Sequence, residues 1–323
     1  MALKDMEGLV AIVLTPFTED GKIDEPGVKH LVRAANEKGL DGVVVLGSNS
    51  EYPYLRFEEK VQVMNAAADA AQNKIPVIGT ASAWSTDEAI ELSREAEKAG
   101  CDAVMAALPS FFKLEFDEVV EHFRTLAAKT SLPIYYYHFP DITGWSVQPA
   151  KLARIAEIEN IVGAKITVIN RPFLKKTIKA TAPFDWKVFT GTTFLLRDCL
   201  EFGGAGVFCP LPLIGHADIK NLYEALKSGD RGRGKKLQDK ILLSIPLFTA
   251  ASIPPAILAK GFKAMVRMPY RPGKRPFACQ GLIKEALCRQ GYPITGKVRG
   301  PYREANPDQR KLVEKTLENL GWL

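Results

Sequence analysis

A lysine interrupts an apolar run at Ile161-Val162-Gly163-Ala164-Lys165-Ile166-Thr167. Burying an ammonium is costly unless it is paired or gives up its proton, and desolvation lowers a lysine pKa. A neutral amine is the nucleophile that makes Schiff bases with carbonyl compounds. The alternative is a strand-end lysine whose head snorkels to water. Two further stretches carry polar groups of interest. In Tyr135-Tyr136-Tyr137-His138, alternation places Tyr135 and Tyr137 on one face, so Tyr137 is either an inward-facing phenol at a strand end or aromatic filler. Gly47-Ser48-Asn49-Ser50-Glu51 offers amides, hydroxyls and a carboxamide, a set suited to a small carboxylate and equally to a turn that caps the next helix.

The elements around these stretches alternate regularly. Eight β-rich runs are read at Leu9 to Leu14, Gly42 to Leu46, Pro76 to Thr80, Ala103 to Ala107, Pro133 to Tyr137, Ile161 to Lys165, Lys187 to Thr190 and Gly206 to Cys209. Each is followed by a segment of helical periodicity, clearest at Val28 to Glu37, Glu58 to Ala71, Asp87 to Lys98, Asp117 to Lys129 and His216 to Lys227. One phrase recurs at three helix-to-strand joints: Gly39-Leu40-Asp41-Gly42-Val43, Gly100-Cys101-Asp102-Ala103-Val104 and Gly203-Gly204-Ala205-Gly206-Val207. Eight such units with continuously apolar strands predict an α/β fold, a (β/α)8 TIM barrel. An open doubly wound sheet would carry a G-x-G-x-x-G turn after an early strand, and none is present. Barrel sites lie at the C-terminal ends of the strands, where Ser48, Asn49, Tyr137 and Lys165 all fall. Residues 227–323 read as a C-terminal helical extension, at Lys235 to Thr249, Pro255 to Met265, Ala278 to Arg289 and Pro307 to Leu320, against a catalytic barrel over 1–226.

Composition narrows the function classes. The 323 residues are 46% hydrophobic and 25% charged, which is globular rather than disordered or fibrous. Net charge is +6, but from Lys227 onward there are 20 basic residues against 7 acidic, leaving 23 against 30 before it. A basic tail raises the question of a nucleic-acid partner, yet it lacks the aromatic interleaving of a stacking platform; a solvated basic surface is expected, and no nucleic acid. No apolar run approaches the roughly 20 residues of a membrane span, and Met1 to Gly8 lacks the plan of a signal peptide, so the expected location is cytoplasmic. The five cysteines form no C-x-x-C pair and the four histidines show no ligand spacing, so neither disulfides nor a metal are expected. Gly229 to Lys236 approaches a phosphate-binding loop, but Lys236 stands where a hydroxyl is needed and a helix precedes it; a basic interhelical turn is the expectation.

Taken in order, these residues resemble the dihydrodipicolinate synthase / N-acetylneuraminate lyase superfamily of class I, pyruvate-handling aldolases. Thr15-Pro16-Phe17 is similar to the segment after the family's first strand, Gly47-Ser48-Asn49-Ser50-Glu51 to its Gly-Ser/Thr-Thr-Gly-Glu loop, Tyr137-His138-Phe139-Pro140 to its Tyr-Asn-x-Pro, Val162-Gly163-Ala164-Lys165 to its Val-Gly-x-Lys, and Gly203-Gly204-Ala205-Gly206-Val207 to its Gly-Gly-x-Gly-Val. The resemblance spans essentially the whole chain. It implies that Lys165 attacks the C2 carbonyl of pyruvate or another 2-oxo acid, that Tyr137 shuttles protons, that Ser48 and Asn49 hold the carboxylate, and that Gly191 and Phe208 line the pyruvate end. It also implies that no cofactor is needed and that the chain forms a homo-oligomer, a tetramer or a dimer.

Departures from the pattern point to substrate. Dihydrodipicolinate synthases carry an arginine where this chain has Ile142, and a proton-relaying tyrosine after strand four where it has Pro109-Ser110-Phe111-Phe112. Neuraminate lyases carry acidic residues where this chain has Thr192-Thr193. Gly47 to Leu55 is most similar to the Gly-Ser-Asn-Gly-Glu-Phe-Pro-Phe-Leu of 4-hydroxy-2-oxoglutarate aldolases, as is the terminal Gly321-Trp322-Leu323. The expected activity is therefore a 4-hydroxy-2-oxoglutarate-type aldolase. The alternatives are a dihydrodipicolinate synthase, a 2-keto-3-deoxy sugar acid aldolase or dehydratase, and a non-catalytic binding protein on the same barrel, which would be expected to lose Lys165 or Tyr137.

Overall fold

The structure, a computed structural model, describes residues 5–109, 111–270 and 278–323. Three features of the sequence reading lie outside the described residues: Met1 to Lys4, Ser110, and positions 271–276 of the Pro/Gly/Arg-rich stretch. Eight parallel strands pair in chain order and close into one barrel. They are β1 (Gly8–Ile12), β2 (Gly42–Val44), β3 (Val77–Thr80), β4 (Ala103–Ala107), β5 (Ile134–His138), β6 (Ile161–Ile166), β7 (Lys187–Thr190) and β8 (Gly206–Cys209). The (β/α)8 architecture expected from the sequence is the one observed.

Strand alternation sorts the core into two layers. Val10, Val44, Ile78, Met105, Tyr135, Tyr137, Phe189 and Phe208 form one apolar cluster inside the barrel. Their outward-pointing neighbours, among them Leu9, Val43, Val77, Val104, Tyr136 and Val207, pack beneath the helices. That is why the strands read as unbroken apolar runs.

Helix ends follow local chemistry. Asp24 caps helix Glu25–Glu37 by accepting the Gly27 amide at 3.0 Å, and Ser85 caps Thr86–Ala99 through the Glu88 amide at 3.2 Å. The repeated phrase acts the same way each time: Gly39, Gly100 and Gly203 all adopt positive φ, of 64°, 86° and 90°. In the first two copies the following aspartate also ties down the base of a strand, Asp41 accepting from Leu9 N at 2.7 Å and Asp102 from Val77 N at 2.8 Å.

The extension differs from expectation in two places. The helix read as Lys235 to Thr249 is broken into Arg231–Ile241, a 3-10 turn at Leu242–Ser244 and a short turn Pro246–Thr249, because Pro246 has no N–H to continue the ladder. The basic stretch read as a turn is helical from Arg231, with Asp230 accepting the Arg233 amide at 2.9 Å. Helices Pro255–Met265, Gln280–Arg289 and Pro307–Leu320 complete the chain. Their apolar side chains join the same cluster as those under the barrel helices. The far end is anchored to helix His216–Lys227 by Trp322, whose indole N–H donates to Asp218 Oδ2 at 2.6 Å. Among the described residues, no helix is long and apolar enough to cross a membrane.

One irregularity bears on the site. Between β5 and β6 the register slips, Ile134 facing Ile161 but Tyr135 facing Gly163, so β6 carries an extra residue. Beyond the slip, Tyr137 pairs with Lys165. A Cβ at Gly163 would meet Lys187 O at 2.5 Å and the Tyr135 ring at 3.0 Å. Gly163→Ala is therefore expected to destabilise the protein by about 1–3 kcal/mol, read as a lower urea midpoint; wild-type stability would remove this packing account.

Candidate active site

Lys165 projects into the barrel from β6, flanked in register by Tyr137 on β5 and Phe189 on β7. It is 2% exposed. Its amine lies 4.1 Å from the centroid of the Tyr137 ring. Below it, Phe189 packs on Phe208 at 4.4 Å between centroids, and Tyr135 on Phe208 at 5.4 Å. Burial in this aromatic floor pushes the Lys165 pKa down from 10.5 to about 7, opposed by the Cys209 sulfur. The displacement corresponds to about 5 kcal/mol against the charged form, enough to leave a large fraction of the amine neutral near pH 7. Of the two sequence readings of this lysine, snorkelling to water is the one the burial excludes.

Tyr137 is also buried, which pushes its phenol above the usual range, while the hydroxyl of Ser48 pulls it back. The Ser48 and Tyr137 oxygens are 3.1 Å apart. Ser48 belongs to the 3-10 turn Ser48–Ser50, which follows the end of β2. An amine of lowered pKa, a phenol of raised pKa and a hydroxyl bonded to that phenol thus converge at one mouth of the barrel.

The remaining sequence-predicted residues occupy different surroundings. Asn49 donates its amide to Cys279 Sγ at 3.3 Å, on the C-terminal extension. Gly191 follows β7 and packs so closely on β6 that a Cβ there would meet Thr167 Oγ1 at 1.9 Å. Phe208 sits in the interior aromatic cluster with Phe189 and Tyr135. His138 is a core imidazole: it stacks on Phe173 at 5.5 Å and bonds Tyr136 Oη at 3.0 Å and Ser146 Oγ at 3.3 Å, with burial lowering its pKa to about 3. Ile142 is exposed, as are the rings of Phe111 and Phe112. Among the described residues, no group of three or more His, Cys, Asp or Glu side chains is placed to hold a metal ion.

The sequence reading missed what surrounds the Ser48 turn. Glu51 is fully buried and ion-paired at 2.6 Å with Lys284 of helix Gln280–Arg289, itself fully buried. Gln280 donates to Ser48 O at 3.2 Å, and the Arg299 backbone N–H to Glu51 Oε2 at 2.7 Å. The tail read as a solvated basic surface therefore also delivers a buried cation to the site. One signal was available: Lys284 shares a helical row with Gln280 and Leu287, next to Ile283.

Sequence comparison matches residues 5–278 to the model of the dihydrodipicolinate synthetase family. The chain belongs to that family. It is 33% identical to the 4-hydroxy-tetrahydrodipicolinate synthase of Archaeoglobus fulgidus over 97% of this chain and 98% of the relative, and 31% identical to that of Methanopyrus kandleri over 98% and 97%. Among solved structures it superposes on YagE, a prophage protein of the dihydrodipicolinic acid synthase family from E. coli K12 crystallised with pyruvate, with a TM-score of 0.85 and 25% identity over 98% of this chain and 99% of that one. The family's members are pyruvate-dependent aldolases, and this chain is a class I lyase of that kind.

The direction of the Lys165 shift fixes a pH dependence. The amine is protonated and inert below its folded pKa of about 7, so reductive alkylation of Lys165 by a small aldehyde, followed by mass spectrometry, should fall about tenfold per pH unit below 7 and level off above 8. A midpoint near that of the surface lysines would place the amine in water.

Proposed function

We propose that the protein is a Schiff-base aldolase that cleaves a 4-hydroxy-2-oxo acid of the 4-hydroxy-2-oxoglutarate type and releases pyruvate. The observation that carries the reading is the buried Lys165 amine over the Tyr137 ring, with Ser48 bonded to the Tyr137 phenol. In this reading the neutral Lys165 amine adds to the C2 carbonyl, and loss of water gives an iminium. The iminium accepts the electron pair released when the C3–C4 bond breaks. Tyr137 protonates the departing hydroxide, and its phenolate, bonded to Ser48, takes the proton of the C4 hydroxyl and returns it to C3. Water then adds to C2 of the pyruvyl iminium and gives Tyr137 back its proton, releasing pyruvate and the neutral Lys165 amine. The Ser48 turn, with its amides and Asn49, holds the substrate carboxylate, Gly191 lines the pyruvate end with Thr167 packed against it, and Phe208 closes the floor. No organic cofactor or metal enters these steps.

Substrate choice rests on what surrounds the mouth. Ile142 supplies no cation for a second carboxylate at the position where dihydrodipicolinate synthases have arginine, and Phe111 and Phe112 supply no relaying hydroxyl. The second reading, 4-hydroxy-tetrahydrodipicolinate synthase, draws on the names of the relatives. A homo-oligomer in the cytoplasm completes the proposal, as does a boundary at residue 227 between barrel and helical extension.

Borohydride reduction in the presence of pyruvate is expected to add one pyruvyl mass to the intact protein, at Lys165, and nothing to Lys165→Ala. Absence of the adduct, or its persistence in Lys165→Ala, refutes the Schiff-base reading. Tyr137→Phe should keep the adduct while turnover falls about 10²- to 10⁴-fold. Assayed side by side, 4-hydroxy-2-oxoglutarate cleavage should exceed condensation of pyruvate with aspartate semialdehyde; the reverse order selects the second reading.

A further inference from the structure

The turn that carries Ser48 and Asn49 is held at every residue, and several of its restraints come from the C-terminal extension. On the barrel side Thr15 Oγ1 donates to Ser50 O at 2.7 Å, Ser50 Oγ to Val13 O at 2.5 Å, and the Ser48 and Tyr137 hydroxyls meet at 3.1 Å. The others reach from the extension. Gln280 donates to Ser48 O, Asn49 donates to Cys279 Sγ, and Glu51 accepts from the Arg299 backbone and pairs with Lys284. Glu51 itself sits in the left-handed region, with φ 63° and ψ 21°, a conformation a non-glycine residue keeps only where its surroundings over-determine it.

Lys284 is the hub of the tail's contribution. Its ammonium reaches Glu51 Oε1 and Lys297 O, each at 2.6 Å, and lies 4.2 Å from the centroid of the Phe17 ring. The other face of the assembly is closed by Arg299, which lies 4.7 Å from the Phe17 centroid and makes two 3.0 Å bonds to Glu59. Phe17 is held in turn by Thr295, whose hydroxyl donates to Phe17 O at 2.6 Å. Burial pushes the Glu51 carboxyl up and the Lys284 amine down, each stabilised as an ion by the other. A buried ion pair is weak evidence for stability, since an apolar pair of similar volume often holds a fold as well. What an apolar pair lacks is direction.

The geometry points to Lys284 as a positioning residue for the lyase site: by fixing the Glu51 carboxylate it sets the Ser48-Asn49 turn against Tyr137, so that the helical extension completes the substrate-carboxylate subsite of the barrel. This rests on the proposed reading of that turn as the carboxylate holder. Lys284 touches no reacting atom, and its effect is expected on affinity for the 2-oxo acid rather than on the amine chemistry of Lys165.

The test compares wild type, Lys284→Met, Glu51→Gln and the double variant Glu51→Gln/Lys284→Met, which leaves no unpaired buried charge and keeps the test open if a single variant fails to fold. Two readouts are taken on folded protein: the pyruvate concentration that half-saturates borohydride trapping at Lys165, and hydrogen exchange of the 48–51 amides without ligand. The half-saturating concentration is expected to rise tenfold or more, with full trapping still reached at high pyruvate, and the turn amides to exchange at least tenfold faster while the β3 to β5 amides keep their rates. A folded variant with wild-type half-saturation overturns the proposal, whatever its melting temperature. If wild type itself forms no adduct, the pyruvate reading fails, and the exchange rates alone decide whether Lys284 orders the turn; unchanged rates then overturn it too.

Discussion

The free-energy cost of taking one amine out of water organises this molecule. Burial beside Tyr137 and above Phe189 and Phe208 lowers the Lys165 pKa to about 7, so the barrel's aromatic packing leaves a large share of the amine as a neutral nucleophile. That conversion needs a closed barrel to exclude solvent, a register slip that brings Lys165 beside Tyr137, and a glycine at 163 that lets the Tyr135 ring fill the space beneath. Packing usually ascribed to stability here sets a protonation state.

The two buried lysines show the two ways out of the same difficulty. Lys165 holds its proton less tightly, and Lys284 finds a partner in Glu51. The first makes an amine reactive, the second makes one rigid. The difference follows from what each meets: an aromatic surface and, among the described residues, no ion pair for Lys165, and a carboxylate with a backbone carbonyl and a phenyl face for Lys284.

Most of the barrel was legible in the sequence because its signals are local. Apolar runs, capping residues such as Asp24 and Ser85, and the repeated glycine at 39, 100 and 203 act within a few positions, and the strands fall within two residues of their expected limits. Lys165 was legible as an anomaly, a charge inside an apolar strand. Lys284 left only the faint signal of its place beside Ile283 and Leu287, because one basic residue on an amphipathic helix looks like any solvated lysine until its partner is known, and Glu51 lies more than two hundred positions away. The break at Pro246 was readable from proline alone; the helical start at Arg231 depended on Asp230, whose capping role was masked by a run of glycine and basic residues.

The tie between Arg299 and Glu51 spans 248 positions. A chain made from its N-terminus folds in that order, so all eight strands and Lys165 leave the ribosome well before the segment that completes the Ser48 turn. Contacts of such long sequence separation form late because loop closure precedes their reward. A nascent barrel therefore carries its amine before residues 279–299 are there to finish the Ser48 turn.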